Sequence, residues 1–183
     1  KIKIKIKIKK IKKIKIIEVV KQLLIFKKNR EKLFFDYKTK NSFFKNLYST
    51  YISYLPKKNF SYKIKSNKDK RGSFVEFIKN KNFGQISYFT INPLCERGNH
   101  YHNSKVEKFL VIKGKVKFLS KNVFSNKRYE VVTSGKSSRI VETIPGWTHK
   151  LINLSTKNDA IVLSWTNEVF DKNKQDTIRN VII

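Results

Sequence analysis

From about residue 60 onward the chain is a succession of short runs rich in β-branched and aromatic residues: GQISYFTI, KFLVIKG, KVKFLS, RYEVVTS, SRIVETI, HKLINLS and AIVLSWT. All six glycines lie in this part, mostly between the runs, and none precedes Gly72. Closely spaced strands punctuated by turn residues predict an all-β sandwich or barrel. A length of 183 residues suits one such domain with a modest extension.

The extension has a different texture. Residues 17–56 read as helical, with Ile17, Val20, Leu23 and Leu24 at helical spacing. Asn41 or Ser42 is placed to cap a second helix through Phe43, Phe44, Leu47, Tyr48, Tyr51 and Leu55, ended by Pro56. The aromatic stripe reads as packing surface. Residues 1–16, KIKIKIKIKKIKKIKI, are of low complexity. If extended, they put Ile on one face and Lys on the other, the pattern of a membrane-active or β-aggregating segment. The favoured reading is a mostly disordered tail whose like charges repel. The chain has no Met, so Lys1 is no initiator and a fragment or processed product is expected.

A net charge of +29 suggests a polyanion partner, but Lys carries nearly all of it. Arg, whose planar fork reads phosphates and bases, occurs only at 30, 71, 97, 128, 139 and 179. Lysine scattered among abundant Ile and Asn reads as compositional bias, so no specific nucleic-acid partner is expected, only weak, salt-sensitive binding to polyanions. The single cysteine, Cys95, permits no internal disulfide and fits a reducing, cytoplasmic setting. No stretch approaches the roughly 18 unbroken apolar residues of a membrane span, and the charged N-terminus lacks the apolar region of a secretory signal.

The chemistry concentrates in RGNHYHNSKVEKF, residues 97–109. On a strand, residues i and i+2 face the same way, so His100 and His102 would both point inward, as a chelate requires. Glu107 follows after a short turn. The third histidine, His149, lies in TIPGWTHKLIN, after a turn at Pro145 and Gly146. All three histidines thus fall in two short motifs, which argues for a shared ligand set over three unrelated residues. Three imidazoles and a carboxylate suit Zn2+ or another divalent metal.

H-x-H, four residues, Glu, six residues, Gly, from His100 to Gly114, resembles the first cupin motif. Gly146, His149 and Asn153 resemble the second, with P-G in place of P-x-G. The resemblance implies a mainly β, RmlC-like cupin jelly roll (a double-stranded β-helix) over residues 60–180, with an N-terminal helical extension. LYSTYISYLP, DKRGSFVEF, RGNHYHNSKVEKFLVIKG, PGWTHKLIN and WTNEVFD together resemble the C-terminal part of the capsular polysaccharide assembling enzymes. Those join a short-chain reductase domain to a zinc-binding cupin and act on a UDP-linked 2-acetamido-2,6-dideoxy-hexulose on the route to UDP-N-acetyl-L-fucosamine. The cupin is credited with C3 epimerisation and the reductase with NADPH-dependent reduction at C4. By this resemblance residues 17–56 correspond to the end of the reductase domain. The Gly-rich phosphate loop of a reductase has no counterpart before Gly72, so NADP binding is not expected in this chain, and a separate reductase chain would supply that step. A homodimer is expected on the same ground.

DKRGSFVEF and RGNHYH also resemble segments of the dTDP-4-dehydrorhamnose 3,5-epimerases. That resemblance implies that Arg71 grips the pyrophosphate, Phe74 and Glu76 line the nucleotide pocket, and Arg97 sits near the substrate. There the histidine after R-G is the base, a role His100 cannot combine with metal ligation. Lys105, Arg97 and Glu168 are the expected catalytic residues, with Lys105 and Glu168 as candidates for proton transfer and Tyr101 and Lys108 as further ones. Two readings follow: a metal-dependent sugar-nucleotide epimerase, or a non-catalytic cupin acting as a binding or dimerisation module or an inactive fragment of the bifunctional enzyme.

Overall fold

The computed structural model describes residues 13–35, 42–171, 173–174 and 176–183. The Lys/Ile tail up to residue 12 and the capping position Asn41 lie outside the described residues.

Two helices open the structure, α1 (Ile16–Glu31) and α2 (Ser42–Ser53). Phe26 of α1 is buried against the rings of Tyr48 and Tyr51 at 5.1 and 5.9 Å, so the aromatic stripe is packing surface. Helix α2 stops short of Leu55, where the sequence reading had carried it. Pro56 excludes the α conformation from the residue before it, and Leu55 N instead closes a tighter turn on Ile52 O at 3.2 Å. After α1 the chain makes a parallel bridge at Phe34 with Lys79, where the pattern had suggested continuous helix. Phe35 N donates to Lys79 O at 2.7 Å and Lys79 N to Leu33 O at 2.8 Å, which docks the extension on a sheet edge.

Eleven strands follow among the described residues: β1 (Ser66–Asp69), β2 (Gly72–Asn80), β3 (Gly84–Ile91), β4 (Glu96–Tyr101), β5 (Glu107–Lys113), β6 (Lys115–Asn122), β7 (Arg128–Ser134), β8 (Ile140–Glu142), β9 (Trp147–Asn153), β10 (Ala160–Thr166) and β11 (Ile178–Arg179). They form a six-stranded sheet, β1-β2-β3-β10-β5-β8, and a five-stranded sheet, β11-β4-β9-β6-β7. Every strand pairing is antiparallel. This is the cupin jelly roll expected from the sequence, and β3 and β5–β10 are the runs read there.

Alternation assigns one face of each strand to the interior, and that face changes character along its length. On the six-stranded sheet the pairs Ala160–Ile91 and Val162–Phe89 are apolar, whereas Ser164–Ser87 and Thr166–Gln85 are polar. On the five-stranded sheet Phe118–Leu151 gives way to Ser120–His149. Phe89, Ile91, Phe109, Val111, Val116, Phe118, Val141, Leu151, Ala160 and Val162 therefore form one apolar core. The interior beyond it is a cavity whose walls combine core aromatics such as Phe89 and Phe109 with polar side chains such as Gln85, Ser87 and Ser164.

Candidate metal centre and substrate cavity

The histidine strand is not regular. The pairing of β4 with β9 shifts between Gly98 and His100, so that Gly98 faces Lys150 and His100 faces His149. A bulge of this kind re-aims side chains. Gly98 has φ +112°, and a Cβ there would sit 2.5 Å from His149 O, so glycine is required both for the conformation and for the close approach.

Donor atoms of His100, His102, Glu107 and His149 lie within 4.8 Å of one another. Glu107 Oε2 is 3.2 Å from His102 Nε2 and 3.1 Å from His149 Nε2. The ring of His100 packs on those of His149 and His102, with centroids 4.6 and 4.9 Å away. His102 and His149 are each 1% exposed, and the Glu107 carboxylate is 13% exposed.

The outer ring nitrogens settle how the inner ones are presented. His102 Nδ1 meets the main-chain carbonyl of Asp176, and His149 Nδ1 lies 3.4 Å from Trp147 O. A carbonyl oxygen only accepts, so these contacts place the proton on Nδ1 and leave Nε2 as a lone pair. Two lone pairs and a carboxylate then converge at hydrogen-bond distance, an arrangement that calls for positive charge between them. The separations of 3.1 and 3.2 Å are close to the edge, about 3.4 Å, of a tetrahedron with bonds of about 2.0–2.1 Å. The donor set therefore fits a divalent cation such as zinc.

The electrostatics agree. Burial, reinforced by the charge of His149 and opposed by Glu107, pushes His100 down to about 4, so its imidazole is neutral near pH 7. Burial alone would raise the Glu107 pKa, yet a proton shared with the facing Nε2 atoms of His102 and His149 holds its carboxyl well below the usual carboxylate range in the metal-free cluster, and a metal ion would take that proton's place. Neutral imidazoles and an ionised carboxylate are the forms that ligate metal.

This cluster borders a cavity of about 460 Å³. Arg71, Phe74, Glu76, Arg97, His100, Lys105, Glu107, His149 and Glu168 all line it, and His102 stands immediately behind. Phe74 stacks on Phe89 with 16° between the rings. Glu76 pairs with Lys79 at 2.5 Å. Arg71 caps Asp69, donating from its backbone N at 2.8 Å, Nε at 3.2 Å and Nη2 at 2.6 Å. Those bonds hold the Asp69 carboxyl down to about 2. Arg97 donates from Nε to Thr90 O at 2.9 Å and lies 5.7 Å from the Phe89 ring centroid. Its Nη2 is buried without a hydrogen-bond partner, 3.6 Å from Asp69 Oδ1. Lys105 Nζ donates to Thr177 Oγ1 at 3.1 Å. Lys108 and Tyr101 do not border the cavity, and Lys108 pairs with Glu142 on the outside.

Sequence reasoning missed Asp69, Gln85, Ser87, Ser164 and Thr177, all part of the cavity wall or its supports. Gln85 Nε2 donates to Ser87 Oγ at 2.9 Å, and both residues are buried. Polar residues at the inward positions of GQISYFTI and AIVLSWT were the available signal.

Residues 67–178 match the family model described as the polysaccharide biosynthesis C-terminal domain. Over 160 residues the chain is 45% identical to the UDP-2-acetamido-2,6-beta-L-arabino-hexul-4-ose reductase of Pseudomonas aeruginosa, covering 87% of this chain and 42% of that protein. The crystal structure of the capsular polysaccharide assembling protein CapF from Staphylococcus aureus is 41% identical, with a TM-score of 0.86 over 90% of this chain and 44% of that one. Oxalate decarboxylase from Lactobacillus farciminis shares the fold alone, at 13% identity and a TM-score of 0.51 over 63% of this chain and 33% of that one. This chain thus spans less than half the length of the P. aeruginosa and S. aureus relatives, and it belongs to the polysaccharide biosynthesis C-terminal domain family.

Proposed function

We propose that this chain epimerises C3 of a UDP-linked 2-acetamido-2,6-dideoxy-4-hexulose in capsular polysaccharide biosynthesis, on the way to UDP-N-acetyl-L-fucosamine, and leaves reduction at C4 to a separate reductase. The observation that carries this reading is the convergence of His100, His102, Glu107 and His149 on a cavity whose wall also bears a half-buried Arg97 with a buried, unpartnered Nη2. A 4-keto sugar is what the relative from P. aeruginosa is named for.

The hydrogen on C3 lies α to the C4 ketone, so its removal leaves negative charge on the C4 oxygen. A divalent cation held by the four ligands supplies positive charge for that oxygen. Inversion needs one group to remove the proton and another to return one to the opposite face. Of the carboxylates and amines lining the cavity outside the ligand set, Glu76 is engaged with Lys79. Lys105 and Glu168 remain, and we assign proton transfer to them. Arg97 and Arg71 bind the diphosphate, and Phe74 with Glu76 borders the nucleotide. The same reading takes a cytoplasmic homodimer. The exposed Tyr88, Leu163 and Ile140 on the outer face of the six-stranded sheet support such pairing. No helix among the described residues is long and apolar enough to cross a membrane.

The test incubates the full chain with the UDP-4-keto sugar in D₂O and follows deuterium at C3 by NMR, beside elemental analysis of bound metal. About one metal per chain with exchange at C3, both lost in His149→Ala, is the expected result. Bound metal without exchange would leave a sugar-nucleotide-binding cupin. A chain free of metal would remove the ligand assignment.

A further inference from the structure

The β4–β5 connection carries both His102 and Lys105, yet it has no regular secondary structure. Its donors converge on one carboxylate more than seventy residues away. Asp176 Oδ1 accepts from Asn103 N at 2.8 Å and Asn103 Nδ2 at 3.1 Å. Asp176 Oδ2 accepts from Ser104 N at 2.7 Å, Ser104 Oγ at 3.0 Å and Lys105 N at 2.8 Å. Successive backbone N–H groups aimed at one anion form a nest, and here the protein supplies the anion. Although burial opposes the charge, these bonds hold the Asp176 carboxyl well below the usual range.

The backbone of the same segment reaches the metal cluster. The carbonyl of Asp176 receives His102 Nδ1. Thr177 Oγ1 accepts from Lys105 Nζ at 3.1 Å and stands 3.4 Å from His102 Nδ1. Strand β11 then pairs with the histidine strand, Ile178 with Tyr101 and Arg179 with His100. Asn180 N donates to Asn99 O at 3.0 Å, continuing the attachment.

We propose that Asp176 is a positioning residue: by tying the amides of Asn103, Ser104 and Lys105 to the C-terminal segment, it orients His102 with Nε2 toward Glu107 and holds Lys105 at the cavity wall. The side chain fixes the loop and the main chain of the same residue fixes the ring, so a displaced carboxylate also displaces the carbonyl that sets the protonation of Nδ1. The proposal rests on the metal-centre reading, since its consequence is that the C-terminal strap sets the metal affinity of the cluster.

The experiment compares the full chain with Asp176→Asn and Ser104→Ala. Asn keeps the volume but turns an N–H₂ toward N–H donors; Ser104→Ala deletes one hydrogen bond to the same carboxylate. Three quantities are read: zinc affinity by chelator competition, the ring signals of [15N]histidine by NMR in metal-free protein, and amide hydrogen exchange at residues 103–105. In Asp176→Asn the zinc affinity falls about 10–100-fold, the usual effect of removing support behind a ligand. The Nδ1–H signal of His102 shifts or exchanges faster, and the three amides lose protection. The ring of His149, whose Nδ1 contact is to Trp147, stays as in wild type and controls for general loosening. Ser104→Ala lies close to wild type in all three. Unchanged affinity and unchanged His102 signals in a folded Asp176→Asn protein would overturn the proposal. If that variant does not fold, the wild type decides: unprotected amides at 103–105, or an Nδ1 without its proton, would overturn it. A wild-type chain that takes up no zinc removes the metal reading, and the ring and amide signals then decide the role of Asp176 alone.

Discussion

Glu107 Oε2 and His149 Nε2 stand 3.1 Å apart although they come from facing sheets, β5 and β9. The contact joins the two layers at the polar end of the barrel, and the only partners that suit it are a proton or a metal ion. Glu107→Gln keeps the side-chain volume and removes the charge. Metal content should fall below a tenth of the wild-type value, with a loss in zinc affinity of more than about 100-fold, since a ligand matters more than the groups behind it. Elemental analysis after dialysis and chelator competition measure this, with circular dichroism to confirm the fold. Retention of metal by Glu107→Gln would take Glu107 out of the ligand set.

Acid should weaken the metal-free protein in two steps. His100 is pushed down to about 4 from 6.5, chiefly by burial, and Asp69 is held down to about 2 from 3.8 by the side-chain hydrogen bond from Arg71. In both, the folded-state value lies below the unfolded one, so the unfolded chain binds more protons and stability rises with pH. The contribution of His100 is complete above about 6.5 and is lost as pH falls toward 4. That of Asp69 is complete above about 3.8 and is lost toward 2. Melting temperatures taken across this range should fall steadily below pH 6.5. Asp69→Asn should lie below wild type at neutral pH, with the gap closing as pH drops from about 3.8 to 2. A gap that widened on acidification would contradict the assignment.

Gly98 is where the bulge, the histidine strand and its partner strand meet. Alanine there must take φ +112° and bring its Cβ to 2.5 Å from His149 O. Gly98→Ala is expected to lower stability by about 1–3 kcal/mol, the range for a forced backbone conformation. It should also weaken metal binding, because relief requires β4 to move away from β9 and so separates His100 from His149. Thermal melts and zinc titration measure the two effects; a loss of stability with intact zinc affinity would mean that the strands part elsewhere.

The ligand set was legible because each ligand follows from local pattern: H-x-H, with His100 on β4 and His102 just past its end where the sequence pattern had kept both on one strand, Glu107 after a short turn, His149 after Pro145–Gly146. The jelly roll was legible because its β-rich runs are bounded by glycines. Strands β1, β2 and β11 escaped: β1 is four residues long and fully exposed, β11 is two residues long, and the alternation of β2 is broken by a register shift between Glu76 and Ile78. The polar wall of Gln85, Ser87 and Ser164 was visible as polar residues at inward positions, but only the register of β3 with β10 brings Ser87 opposite Ser164. Asp176 carried no signal, because its carboxylate meets a loop more than seventy residues away and its contact with His102 is a main-chain carbonyl that every residue possesses.

The surroundings of Arg97 are incomplete. Its Nε is satisfied by Thr90 O and its plane is near Phe89, yet Nη2 is buried with no hydrogen-bond partner. A buried donor without an acceptor costs about 1–3 kcal/mol, and Asp69 at 3.6 Å relieves it only through charge. An oxyanion entering the cavity would supply the acceptor, in the forked geometry that guanidinium favours. Arg97→Lys keeps a positive charge but has a single nitrogen in place of the planar fork whose Nε meets Thr90 O while Nη2 is free for an anion. Binding of UDP, measured by titration calorimetry, should weaken about tenfold or more, corresponding to at least about 1.4 kcal/mol. The melting temperature of the free protein should stay level or rise, because the orphaned donor is gone. Weaker binding without lost stability marks Arg97 as a ligand-binding group; lost stability with unchanged UDP affinity would mark it as a strut between β3 and β4.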